Sequence, residues 1–177
     1  MKKITDSEIN KYIEALEGLV EEKEIKTEKT NEEVLDMLKT ALADEWLAAY
    51  QYWVCANSVR GAGRTDVVPE FEQHYKEEME HVEKIMNRIK ELHGTPITTP
   101  EQWIEVANPW TEVVTTKSCE QLDITIQAEK DAIAYYNAII EYCKGFDEVT
   151  MRVCRDILAD ETEHLYDLEM LKEDICG

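Results

Sequence analysis

The chain has 177 residues, 44% of them hydrophobic, and a formal net charge of −20. Such a surface repels phosphate backbones, which argues against nucleic acid as a partner and favours cations. No run approaches the roughly 20 apolar residues that span a bilayer, and no apolar stretch follows the lysines of MKKITDSEINKY, so neither a membrane segment nor a secretory leader is expected, and the cytoplasm is the expected compartment.

Helical periodicity runs through the chain. Residues 5–22 are predicted to form a helix, with Ser7 as N-cap and Ile9, Ile13, Leu16 and Val20 on one face. The charged stretch EEKEIKTEK then reads as a solvated connection, so residues 1–30 form an N-terminal helix and linker and 31–177 the main domain. Thr30 with Glu33 makes a capping-box signature opening a long helix through Ser58, which Gly61-Ala62-Gly63 ends. An apolar-periodic stretch covers 66–92 and stops at Gly94 and Pro96. Residues 94–117, rich in Thr, Pro and Trp, read as a long crossover with a short helix near Glu101–Val106. Two further helices, 118–144 and 148–175, flank Lys144-Gly145-Phe146. The predicted architecture is all-α: a four-helix bundle of two hairpins joined by one long crossover, with an extra N-terminal helix.

The five cysteines, Cys55, Cys119, Cys143, Cys154 and Cys176, are widely spaced and form no Cys-x-x-Cys. A rubredoxin-like iron centre therefore has no support, and buried, reduced thiols are expected.

Two of the four histidines follow a glutamate by three positions: Glu78 with His81, and Glu161 with His164. Residues i and i+3 share a helix face, so each pair can offer a carboxylate and an imidazole to one ion. Each pair lies on the second helix of a hairpin, and each first helix carries a glutamate at nearly the same offset, Glu45 and Glu129. These two sit in the apolar segments LADEWLAAYQYW and IQAEKDAIAYY, where an unpaired carboxylate is expensive to bury. Two single glutamates and two Glu-x-x-His pairs from four helices form a di-metal pattern. Four carboxylates neutralise two divalent cations, and the mixed oxygen and nitrogen set suits iron or manganese. Glu77 and Asp160 each precede a ligand glutamate, where they can accept the outer N–H of the opposite helix's histidine.

With these residues in place, the chain resembles ferritin-like proteins, especially bacterioferritins and Dps-like mini-ferritins, over about residues 31–175. The segments carrying the resemblance are Glu45 with Gln51-Tyr52, EEMEH at 77–81, AEKDAI at 128–133 and ILADETEH at 157–164. It implies a ferroxidase that binds two iron ions per subunit, with manganese as an alternative, and oxidises Fe²⁺ with O₂ or H₂O₂ for iron storage and protection from oxidative stress. It places Tyr52 beside the metal site as an electron donor and Met79 at the position of a haem b ligand on a dimer axis. The thioferritin cysteine pair is not matched, because Asp131 stands at one of its positions and no cysteine occurs between 94 and 118. A homo-oligomer is implied, a dodecamer in preference to a dimer. A dimeric peroxidase or oxidase without mineral storage is the alternative activity. A helical interaction module with accidental Glu-x-x-His pairs is the non-enzymatic one, and metal content would distinguish it.

Overall fold

The computed structural model describes residues 29–177, and the helix predicted over 5–22 lies outside the described residues. Helix α1 (Asn31–Ser58) starts at its expected cap: the Thr30 side chain accepts from the Glu33 N–H, and the Glu33 carboxylate accepts from the Thr30 N–H. Two of the orphan groups at the helix start are satisfied reciprocally. Helix α2 (Arg64–Glu91) follows a turn in which Gly63 takes a left-handed φ of 77°. Beyond α2 the chain doubles back through Gly94, where a Cβ would lie 2.4 Å from Leu35 Cδ2 and 3.2 Å from the Ile89 carbonyl oxygen, so a larger residue would force the Leu35 side chain aside.

The crossover contains the short helix α3 (Pro100–Val106), opened by a second capping box between Thr99 and Gln102. It is strapped along α1. Trp103 stacks on Trp46 at 4.7 Å between ring centroids, and the Asn108 backbone N–H and Nδ2 donate to the Asp44 carboxylate at 2.8 and 2.6 Å. Further on, Gln51 Nε2 donates to the Thr111 carbonyl, and the Arg60 N–H to that of Thr116. Helices α4 (Ser118–Cys143) and α5 (Glu148–Cys176) complete the bundle, the Asp147 side chain capping α5 through the Thr150 N–H.

Helices α1 and α2 form one hairpin and α4 and α5 the other, with α1 against α4 and α2 against α5. The cross-pairs Tyr52–Glu129 and Tyr136–Glu45 show that α1 and α4 run antiparallel. His81–Asp160 and Glu77–His164 show the same for α2 and α5. Helix α4 is thus parallel to α2, which is why the crossover must travel the length of the bundle. The fold is the predicted four-helix bundle with one long crossover.

Two apolar clusters fill the interior. One contains Leu38, Leu42, Ile85, Ile89, Ile139 and Ile157; the other contains Tyr52, Phe71, Leu122, Ile126 and Leu168. Each such side chain contributes roughly 1.5–3 kcal/mol on burial. A charged layer separates the clusters. Cys55, Cys143 and Cys154 are buried free thiols as expected, but Cys119 and Cys176 form a disulfide, which corrects the expectation of reduced thiols throughout. The antiparallel hairpin brings the start of α4 to the end of α5, with a Cα–Cα separation of 5.9 Å that a disulfide spans. Among the described residues, no helix is long and apolar enough to cross a membrane.

Candidate metal centre

The charged layer holds all six predicted ligands. Glu45 comes from α1, Glu78 and His81 from α2, Glu129 from α4, and Glu161 and His164 from α5. None is more than 3% exposed, and removing this much charge from water is costly without partners. Helical spacing explains the convergence: within each Glu-x-x-His the two side chains share a face, and both faces turn inward because the flanking stripe is apolar.

The ligand atoms form two overlapping groups, each spanning no more than 4.8 Å: Glu45, Glu78, His81 and Glu161 in one, and Glu78, Glu129, Glu161 and His164 in the other. Glu78 and Glu161 belong to both. His81 Nδ1 lies 3.3 Å from Glu45, 3.2 Å from Glu78 and 3.1 Å from Glu161. His164 Nδ1 lies 3.4 Å from Glu78, 3.4 Å from Glu161 and 3.9 Å from Glu129. Among the described residues, Glu45 Oε2, Glu78 Oε1, Glu161 Oε1 and His164 Nδ1 are buried without a hydrogen-bond partner. Buried polar atoms are rarely left so, and hard oxygen and imidazole donors turned toward a common point suit divalent iron or manganese.

Both imidazoles are oriented from outside the layer as the sequence predicts. His81 Nε2 meets Asp160 at 3.0 Å, and His164 Nε2 meets Glu77 at 2.9 Å. Donation of the outer N–H turns Nδ1 toward the ligand cluster and raises its basicity. Burial opposes charge on both rings, but contacts with Glu161, Glu45 and Glu78 raise the His81 pKa well above the usual histidine range. Those with Glu161 and Glu78 raise that of His164 to about 12. Burial, followed by the charges of Glu161 and Glu78, raises the Glu129 carboxyl. The layer is therefore strongly acidic in character, a setting that suits divalent cations.

Tyr52 lies against this layer, its hydroxyl donating to Glu129. Tyr136, which the sequence reading missed, donates symmetrically to Glu45. Its signal was present: Tyr136 follows Glu129 by the same seven positions that separate Tyr52 from Glu45. Burial first, and the neighbouring carboxylates next, raise both phenols, so both remain protonated donors. His74 was also missed. It is fully buried, stacks on His164 at 4.1 Å and sits edge-on to Tyr52 at 5.1 Å. Burial, then the charge of His164, lowers its pKa to about 3. Met79 is half-buried on α2 and makes none of the polar contacts of the layer.

Two openings reach the layer. An apolar cavity of about 510 Å³ on the α1/α4 side is lined by alanines, Trp110 and Tyr135, and meets Glu45, Glu78, Glu129 and Glu161. A polar cleft of about 150 Å³ on the α2/α5 side is lined by Glu77, Glu80, Asp160, Glu163 and Asp167, with His81 and His164.

Antiparallel helical hairpins joined by one full-length crossover, enclosing glutamates and Glu-x-x-His pairs, define the ferritin-like class of helical bundles. The family model described as a ferritin-like domain matches residues 35–175, and the chain belongs to that family. A bacterioferritin of Brucella melitensis is 30% identical over 142 residues, covering 80% of this chain and 83% of that protein. A DNA protection during starvation protein of Pyrococcus furiosus is 27% identical, covering 75% and 73%. Among solved structures, a dodecameric thioferritin, the bacterioferritin-related protein of Bacteroides fragilis, superposes with a TM-score of 0.80 at 39% identity, covering 82% of this chain and 87% of that one.

Proposed function

We propose that the protein is a ferroxidase that takes two Fe²⁺ ions as substrate between Glu45, Glu78, His81, Glu129, Glu161 and His164. The observation carrying this reading is the pair of overlapping ligand groups, since carboxylates common to both are what two adjacent ions require. With peroxide the balance is two Fe²⁺, one H₂O₂ and two protons giving two Fe³⁺ and two waters. With O₂, two Fe²⁺ and two protons give two Fe³⁺ and one H₂O₂. Either course removes free Fe²⁺, and the product would pass to a mineral store if the chains form a cage.

The chain's own groups have distinct parts. Glu78 and Glu161 hold both ions, while Glu45 with His81 and Glu129 with His164 each complete one side. Asp160 and Glu77 keep the imidazoles aimed. The acidic cleft suits the entry of cations, and the apolar cavity suits O₂. Tyr52 and Tyr136 fix the single glutamates and are positioned to supply an electron. Met79, half-buried and outside the polar contacts of the layer, is placed to pack at a subunit interface or to ligate haem b there, and a dodecamer is the proposed assembly, supported by the dodecameric thioferritin of Bacteroides fragilis. The size of the apolar cavity favours a second reading, a dimeric oxidase or peroxidase that admits a small organic reductant.

Metal analysis and light scattering on a single gel-filtration peak, from cells supplied with iron, test these readings. Two or more irons per chain in a particle near twelve subunits are expected. Two metals per chain in a dimer would select the oxidase, and absence of bound metal would sink both.

A further inference from the structure

A second cluster lies one helical turn away from the six ligands. Glu70 and His74 on α2 and Asp167 on α5 each offer a ligand atom, all within 4.8 Å of one another. His74 is fully buried, with Nε2 3.1 Å from Glu70 Oε1, yet neither ring nitrogen has an aligned hydrogen-bond partner among the described residues. Among the described residues, no lysine or arginine pairs with Glu70 or Asp167. A buried imidazole turned toward two half-buried carboxylates, with no donor or cation to satisfy them, is the chemistry of a metal site.

The internal repeat of the bundle sharpens the point. Glu77, Glu78 and His81 of α2 correspond to Asp160, Glu161 and His164 of α5 at a constant offset. At that offset the counterpart of His74 is Ile157, a fully buried core residue. The counterpart of Asp167 is Lys84, whose Nζ lies 3.0 Å from Asp160. Hydrocarbon and a fixed cation occupy one side of the centre; the other has an extra imidazole and an extra carboxylate. The surplus ligands are therefore not imposed by the fold.

We propose that Glu70, His74 and Asp167 bind a third metal ion, a divalent first-row transition metal, with water completing its coordination. Asp167 also lines the acidic cleft, and a ring nitrogen of His74 lies within 4.8 Å of ligand atoms of Glu129 and His164. The third ion thus sits between the cleft and the two-metal centre, a waiting position for incoming Fe²⁺. That role, though not the site, rests on the ferroxidase reading.

The test uses full-length, metal-free protein loaded with Co²⁺, which binds the same donors and does not oxidise readily in air. Anomalous diffraction at the cobalt edge should show a peak at ligand distance from Glu70, His74 and Asp167, separate from those among the six ligands. The isosteric E70Q/D167N variant should lower bound Co²⁺ from about three ions per chain to about two, with unchanged helical circular dichroism. Absence of that peak, or an unchanged count in a folded E70Q/D167N, overturns the proposal. Peaks at the six ligands alone would leave the ferroxidase reading standing and sink this one; a peak only at the third site would do the reverse.

Discussion

Around His81, the outer ring nitrogen meets Asp160, which Lys84 also holds at 3.0 Å, and Ile157 fills the adjoining space with hydrocarbon. Around His164, the outer nitrogen meets Glu77, no lysine intervenes among the described residues, and His74 lies stacked where the other half has isoleucine. The two halves share a ligand pattern, an outer carboxylate behind each imidazole and a tyrosine on each single glutamate, and differ in what lies beyond these. The repeat is kept in the six candidate ligands and broken in the charges that surround them. One half carries its own fixed cation; the other remains acidic and open to mobile ones. The ends of the bundle differ in the same sense. The end beyond His164 is closed by the Cys119–Cys176 disulfide. The end beyond His81 is closed by Arg88, which donates to Thr150 at 2.8 Å and to both oxygens of Asp147.

The largest expected effect treats the two halves as one unit. Glu78→Ala and His164→Ala should each reduce stopped-flow Fe²⁺ oxidation to the background rate, leaving helical circular dichroism nearly intact. His81→Ala should do the same; if it retained rapid oxidation, the halves would be functionally separate and the shared-ligand arrangement wrong.

Next in size is the contrast between the ends. C119S/C176S should lower unfolding free energy by about 4 kcal/mol, as expected for a closed loop of this length, and added reductant should mimic it in the parent. The opposite end should instead respond to acid. Hydrogen bonds from Thr150 and the Arg88 charge outweigh burial and hold the Asp147 carboxyl below its ordinary value. Its contribution is therefore complete above about pH 4 and is lost as pH falls through the lowered pKa. Chemical unfolding of the parent and Arg88→Met across pH 2–6 checks this. The two proteins should converge at low pH, and a gap that persists there would show that Asp147 is not the partner that matters.

Glu77→Gln and Asp160→Asn should each weaken metal affinity by about 10–100-fold, the usual cost of losing the carboxylate behind a ligating imidazole. Lys84→Met should perturb only the His81 half, which Co²⁺ spectra of the two sites can resolve. Tyr52→Phe and Tyr136→Phe are expected to have the smallest effect, a few-fold slowing of oxidation in each, because both glutamates keep their ligand role. A large difference between the two would break the symmetry that the hydrogen bonds imply.

Among the six candidate ligands, the two Glu–His pairs and the carboxylates behind them could be read from local spacing, while Glu45 and Glu129 stood out by their matching offsets within each hairpin and their apolar surroundings. Position i+3 fixes the Glu–His pairs, and position i−1 fixes Glu77 and Asp160. The Thr30 cap was equally local. What escaped depends on the register between helices. His74 becomes informative only when α5 brings His164 and Asp167 beside it. Cys119 and Cys176 fall at nearly matching distances either side of the 144–147 turn, yet without the hairpin register they are two isolated thiols. The strap from Asn108 to Asp44 depends on where an irregular segment passes over α1, which no periodicity encodes. Burial raises the Asp44 carboxyl there to about 6.

The full-length crossover has a consequence for how the centre comes into being. Each hairpin supplies three of the six ligands, Glu45, Glu78 and His81 from one, Glu129, Glu161 and His164 from the other. Neither hairpin can assemble the centre alone, and each would leave its charged layer facing water. A chain severed between Thr111 and Thr116 would keep the strap with the first hairpin and yield two fragments. Their reunion would be governed by metal concentration, since an ion that binds only the joined form stabilises it by mass action. The bundle is, in effect, a covalently tethered heterodimer whose association metal uptake at the candidate centre would report.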